Sequence, residues 1–100
     1  MVKVLTQVYI NKEEEGGRKS PIFNNYRANL RFNNSESRND FILKADDDTI
    51  LIGGGNYEIF FKPLYYDLVL DFLKTNNEFE ILEGAKIIAR GKIIDTFKDV

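Results

Sequence analysis

Tyr26-Arg27-Ala28-Asn29-Leu30-Arg31-Phe32 decides the fold. Its apolar members, Tyr26, Ala28, Leu30 and Phe32, alternate with Arg27, Asn29 and Arg31. A period of two sends the first set inward and leaves a guanidinium, amide, guanidinium row outside, which is the pattern of a half-buried β-strand. Upstream, Val2, Val4, Thr6, Val8 and Ile10 form one face of a β-branched strand, with Lys3, Leu5, Gln7 and Tyr9 on the other. Downstream, residues 41 to 44, 49 to 52, 57 to 62, 79 to 82 and 86 to 97 read as further strands. Between them, Asp46-Asp47-Asp48, Gly53-Gly54-Gly55-Asn56 and Glu83-Gly84-Ala85 read as turns, and residues 11 to 21 and 33 to 40 as loops. Residues 63 to 77 break the pattern. There Asp67, Asp71 and Lys74 fall at helical spacing opposite Leu64, Leu68, Phe72 and Leu73, with Pro63 before and Asn76-Asn77 after. This predicts a short helix with Leu68 and Phe72 buried and Asp67 and Asp71 exposed, although Leu64, Tyr66, Leu68, Leu70 and Phe72 also alternate as a strand would. The sum is an all-β chain, an antiparallel sandwich or small barrel with one inserted helix.

Composition narrows the chemistry. The 100 residues are 43% hydrophobic and 30% charged, which suits one globular domain over residues 1 to 100. There is no Cys, His or Trp, which removes disulfides, the usual zinc ligands, cysteine nucleophiles and Ser-His pairs. Met1-Val2-Lys3-Val4 opens no signal sequence and no apolar run is long enough for a membrane helix, so the expected compartment is the cytoplasm, without membrane contact. No Walker-type loop is present, and neither a nucleotide nor any other cofactor is expected. The net charge is −2, but residues 1 to 44 carry eight Lys/Arg against five acids, while residues 45 to 100 carry six against eleven. If the early cations share a face they form a local basic patch.

Four patterns have a bland reading that outweighs the chemical one. Asp46-Asp47-Asp48 lacks the alternation, central Gly and distal Glu of a calcium loop. Gly53-Gly54-Gly55 lacks the Lys-Ser/Thr of a phosphate cradle. Glu78 and Glu80 share a strand face without a pocket signal, and most aromatics fall on core faces. More informative are two similar loops, Glu15-Gly16-Gly17-Arg18-Lys19-Ser20-Pro21 and Glu83-Gly84-Ala85-Lys86. Each sets an acid, small residues and a cation where backbone N–H groups and a basic side chain can meet a phosphate or carboxylate.

The order Val8-Tyr9-Ile10, polar loop, Glu14-Glu15-Gly16-Gly17-Arg18-Lys19-Ser20-Pro21-Ile22-Phe23, then Tyr26-Arg27 and a strand ending in Phe32, resembles the third, C-terminal domain of elongation factor Tu. Phe79-Glu80-Ile81-Leu82-Glu83-Gly84-Ala85-Lys86, continuing through Gly91 to Ile94, is similar to that domain's last hairpin. The resemblance implies a closed, six-stranded antiparallel β-barrel, to which this chain adds the helix read around residues 64 to 75, and a chain without the factor's GTP-binding domain or second barrel. It also implies a non-catalytic domain that contacts tRNA and proteins. By position it carries RNA-facing roles to Arg18, Lys19, Asn29, Glu83 and Gly84, with Arg27, Arg31 and Lys86 as neighbouring cations. Ala28 stands where the family has Pro, Ala85 where it has Gly, and the segment at 36 to 40 and the insert at 63 to 77 are this chain's own. The expected function is therefore a binding module for structured, tRNA-like RNA or for protein. Net acidity and the Asp67/Asp71 face support a second reading, an immunity- or inhibitor-type protein that binds a toxin or mimics a translation-factor surface.

Overall fold

The computed structural model describes residues 1 to 33 and 35 to 98. Its strands are β1 (Val2–Ile10), β2 (Ile22–Phe23), β3 (Arg27–Phe32), β4 (Arg38–Lys44), β5 (Ile50–Leu51), β6 (Asn56–Pro63), β7 (Glu78–Glu83) and β8 (Lys86–Lys98). Six of them close an antiparallel barrel in the order β1-β6-β4-β3-β7-β8, and β2 pairs with β5 in a separate small sheet. Closure follows from β1, which pairs with β6 on one side and with β8 on the other, so no barrel strand keeps a free long edge.

Alternation places the core where the sequence puts it. Val4, Thr6, Val8 and Ile10 of β1 and Ala28, Leu30 and Phe32 of β3 are buried. Thr6 is the polar member of this face, and its hydroxyl donates to the Ile59 carbonyl at 2.9 Å. At the centre, Phe32, Phe41, Phe61 and Phe79 form a closed ring of edge-to-face contacts, with successive centroids 5.9–6.5 Å apart. That geometry sets the positive edge of one ring against the negative face of the next.

Two registers shift, and one of them shapes the end where the first loop meets the last hairpin. Between β7 and β8 the pairing slips from Ile81↔Ala89 to Leu82↔Ile87, so Ile88 is the extra residue of a β-bulge. Both Ile81 and Leu82, and both Ile88 and Ala89, are consequently buried. The bulge also turns the carbonyls of Ile87 and Ile88 toward the first loop.

The insert is helical over residues 66 to 72, as α1 (Tyr66–Val69) and a 3-10 turn (Leu70–Phe72). Asp67 and Asp71 are exposed as expected, but Leu68 is 71% exposed and the buried residue is Val69. The expected face is off by one residue because the segment is too short to hold a regular period and tightens to 3-10 geometry after one turn. Phe72 is half-buried and stacks on Phe32 at 5.1 Å, nearly parallel.

Candidate functional site at one barrel end

The first loop is shaped by its own residues before it touches anything else. Glu13–Glu15 makes a 3-10 turn, and Gly16 ends it at φ +92°, a conformation that favours glycine. The Glu15 carboxylate accepts the Lys12 N–H at 2.8 Å and the Tyr9 hydroxyl at 2.6 Å, and the latter holds Glu15 below the usual carboxylate range. Gly17 then passes so close to the preceding chain that a Cβ there would lie 2.1 Å from the Asn11 carbonyl oxygen.

Asn11 ties this loop to the last strand. Its backbone N–H donates to the Ile88 carbonyl at 2.9 Å and its side-chain amide to Ile87 at 3.0 Å, both carbonyls presented by the bulge. Asn11 is buried, with its backbone N–H and side-chain amide both donating, a role that nothing in its loop-like sequence context signals.

Across this seam the two similar loops meet. Arg18 Nε lies 3.1 Å from Glu83 Oε2, and Lys86 Nζ donates to the Gly17 carbonyl at 3.2 Å. Tyr26 donates its hydroxyl to the same Glu83 oxygen at 2.5 Å, while the Arg18 guanidinium sits over the Tyr26 ring, 5.1 Å from its centroid. Burial, and then the Glu83 hydrogen bond, push the Tyr26 phenol far above its ordinary value and keep it a donor. Arg38 adds a bond from Nη1 to the Gly84 carbonyl at 2.6 Å. Arg18, Glu83, Gly84 and Lys86 therefore share one end of the barrel, and Lys19 is exposed in the same loop.

The remaining residues singled out from the sequence lie on the barrel wall and are paired there. Arg27 Nη2 meets Asp40 Oδ2 at 2.9 Å, and the Asn29 amide donates to the other Asp40 oxygen at 3.2 Å. Arg31 bonds Glu80 at 2.6 Å, and Arg90 reaches the second Glu80 oxygen at 2.8 Å. Arg31 above all holds the Glu80 carboxyl below its usual range. Tyr26, Arg38, Asp40, Glu80 and Arg90 were not marked by any loop motif. Cross-strand register brings them into place, as in the pairs Arg31↔Glu80 and Glu80↔Arg90.

No helix among the described residues is long and apolar enough to cross a membrane. The family model of the elongation factor Tu C-terminal domain matches residues 1–97. The closed six-stranded antiparallel barrel with one short helix is consistent with that match. This chain is thus a member of the elongation factor Tu C-terminal domain family, a translation-factor-like β-barrel.

Proposed function

We propose that the chain is a non-enzymatic binding module, one barrel domain over residues 1 to 100, which docks on structured, tRNA-like RNA through the end where the first loop meets the last hairpin. The observation that carries this reading is the Arg18–Glu83–Tyr26 cluster with Lys86 beside it. Cations held in place before binding contact a phosphate without the cost of ordering a free loop. Lys19, exposed alongside, adds a further donor of the same charge. The family match supports the reading, since the domain it describes belongs to a translation factor. The wall residues Arg27, Asn29 and Arg31 extend the polar surface, each already oriented by a carboxylate.

Acid–base chemistry is disfavoured by the state of the best-enclosed carboxylate. Glu80 is stabilised as the anion by two guanidiniums, the opposite of what a general acid requires. The proposed role involves neither cofactor nor nucleotide and is exercised in the cytoplasm without membrane contact, and the chain has no Cys or His for thiol or imidazole chemistry.

The test is binding of bulk tRNA to the purified chain, followed by fluorescence anisotropy at two salt concentrations. The reading predicts saturable binding that weakens steeply with salt. A flat titration at low salt contradicts it. The second reading, a protein-masking role of the immunity type, is favoured by Tyr65 and Leu68, 57% and 71% exposed beside the acidic Asp67 and Asp71. It predicts a discrete protein complex from RNase-treated lysate that Leu68→Asp abolishes.

A further inference from the structure

We propose that Tyr26 is the positioning residue of this barrel end, orienting Arg18 and Glu83 for the partner, an inference that rests on the binding reading above. Arg18 lies in a loop that passes through Gly16 at positive φ, while Glu83 ends β7 where the hairpin turns through Gly84, also at positive φ. Arg18 has a bond within its loop, Nη2 to Ser20 Oγ at 3.3 Å, and Lys86 joins hairpin to loop through the Gly17 carbonyl. Tyr26 immediately precedes β3 and is tied to the wall. Its N–H donates to the Phe23 carbonyl at 3.1 Å and its carbonyl accepts from Leu43 at 2.9 Å, so the backbone is pinned toward β2 and β4 at once. Its half-buried ring packs against the core cluster.

From that anchor the side chain touches both loops. The ring face lies under the Arg18 guanidinium, and the hydroxyl meets Arg18 Nε at a single oxygen, Glu83 Oε2. Cation–π and charge-assisted contacts together fix both the plane and the direction of the guanidinium. The chemistry works only with a protonated phenol, and burial beside Glu83 secures that state. Tyr9 makes the equivalent hydroxyl–carboxylate contact with Glu15 on the other side of the loop, where no cation is oriented, and so serves as an internal control.

The experiment is solvent exchange of the arginine Nε–H groups by NMR in the full chain, comparing wild type, Tyr26→Phe, Tyr9→Phe and Glu83→Gln, with bulk tRNA as the binding probe. Tyr26→Phe and Glu83→Gln should each speed exchange at Arg18 about tenfold, the loss of roughly one charge-assisted hydrogen bond, while Arg31 is unchanged. Tyr9→Phe should leave Arg18 unchanged. Tyr26→Phe should also weaken bulk tRNA binding in the wild-type background and have no added effect in Arg18→Gln. Unchanged exchange at Arg18 in Tyr26→Phe, equal acceleration at Arg31, or additive losses with Arg18→Gln would overturn the proposal. If Tyr26→Phe does not fold, Glu83→Gln gives the same exchange test without touching the ring. Failure of the wild type itself to bind bulk tRNA contradicts the RNA reading instead, and the exchange ratios then decide the positioning role alone.

Discussion

Gly17 shows how a single missing side chain can hold a surface together. A methyl group there would collide with the backbone carbonyl of Asn11, a residue that cannot step aside without breaking the bonds its side-chain amide and N–H donate to the Ile87 and Ile88 carbonyls. Gly17→Ala should therefore cost about 2 to 3 kcal/mol in denaturant unfolding. Gly84→Ala meets nothing within 4 Å and bears only the strain of φ +60°, so its cost should be smaller, about 1 kcal/mol. Titrating residues give a second check. The folded-state pKa of Glu80 is lowered from 4.5, so its stabilisation is complete above that value and is lost as pH falls through the folded one. Glu80→Gln should be less stable than wild type near neutrality, and the gap should close as acidification carries the pH below the lowered folded-state value. Tyr26 runs the other way. Its folded value is raised above 10.0, so its contribution is full below that pH and fades as the solution becomes more alkaline.

The insert separates what periodicity reveals from what it hides. Its helical character and its exposed acids were readable, because Asp67 and Asp71 lie four apart beside a leading proline. Which apolar residue turns inward was not, since one α-turn followed by a 3-10 turn gives too few residues to fix a face. Phe72→Ala, which strips a ring stacked on Phe32, should cost about 2 kcal/mol, whereas Leu68→Ala should change thermal stability by less than about 0.5 kcal/mol. The reverse ranking in a melting series would show that Leu68 is packed after all. Two other elements escaped the sequence for related reasons. β2 is a two-residue strand whose partner β5 is equally short, leaving no alternation to detect. The Ile88 bulge breaks the period of β8 inside an apolar run, Ile87-Ile88-Ala89, that reads the same with or without it.

At the scale of the whole molecule, alternation identified most strands, and the resemblance in loop order supplied the closed barrel that the family match and the topology bear out. What stayed illegible was register. Arg18, Lys86, Arg27, Asn29 and Arg31 could be named from loop motifs and strand faces, but their partners Glu83, Asp40 and Glu80 are set by which strands lie side by side. Of the early cations that suggested a basic patch, Arg18, Arg27 and Arg31 are tied to carboxylates and Arg38 to a carbonyl, while Lys19 is exposed. This is a polar, pre-ordered surface with modest net charge, and it directs the choice of variant. Reversing Arg18 would break the clasp with Glu83, whereas Lys19 is exposed and Lys86 leans on a carbonyl. The most direct measurement is the affinity of Lys19→Glu/Lys86→Glu for bulk tRNA as a function of salt, beside wild type and with unfolding midpoints matched. The account predicts weaker binding at every salt concentration and a log–log salt slope lowered by about one unit per lost phosphate contact. Wild-type affinity and an unchanged slope in the double variant would contradict it, and this barrel end would then be no more than a solvated rim.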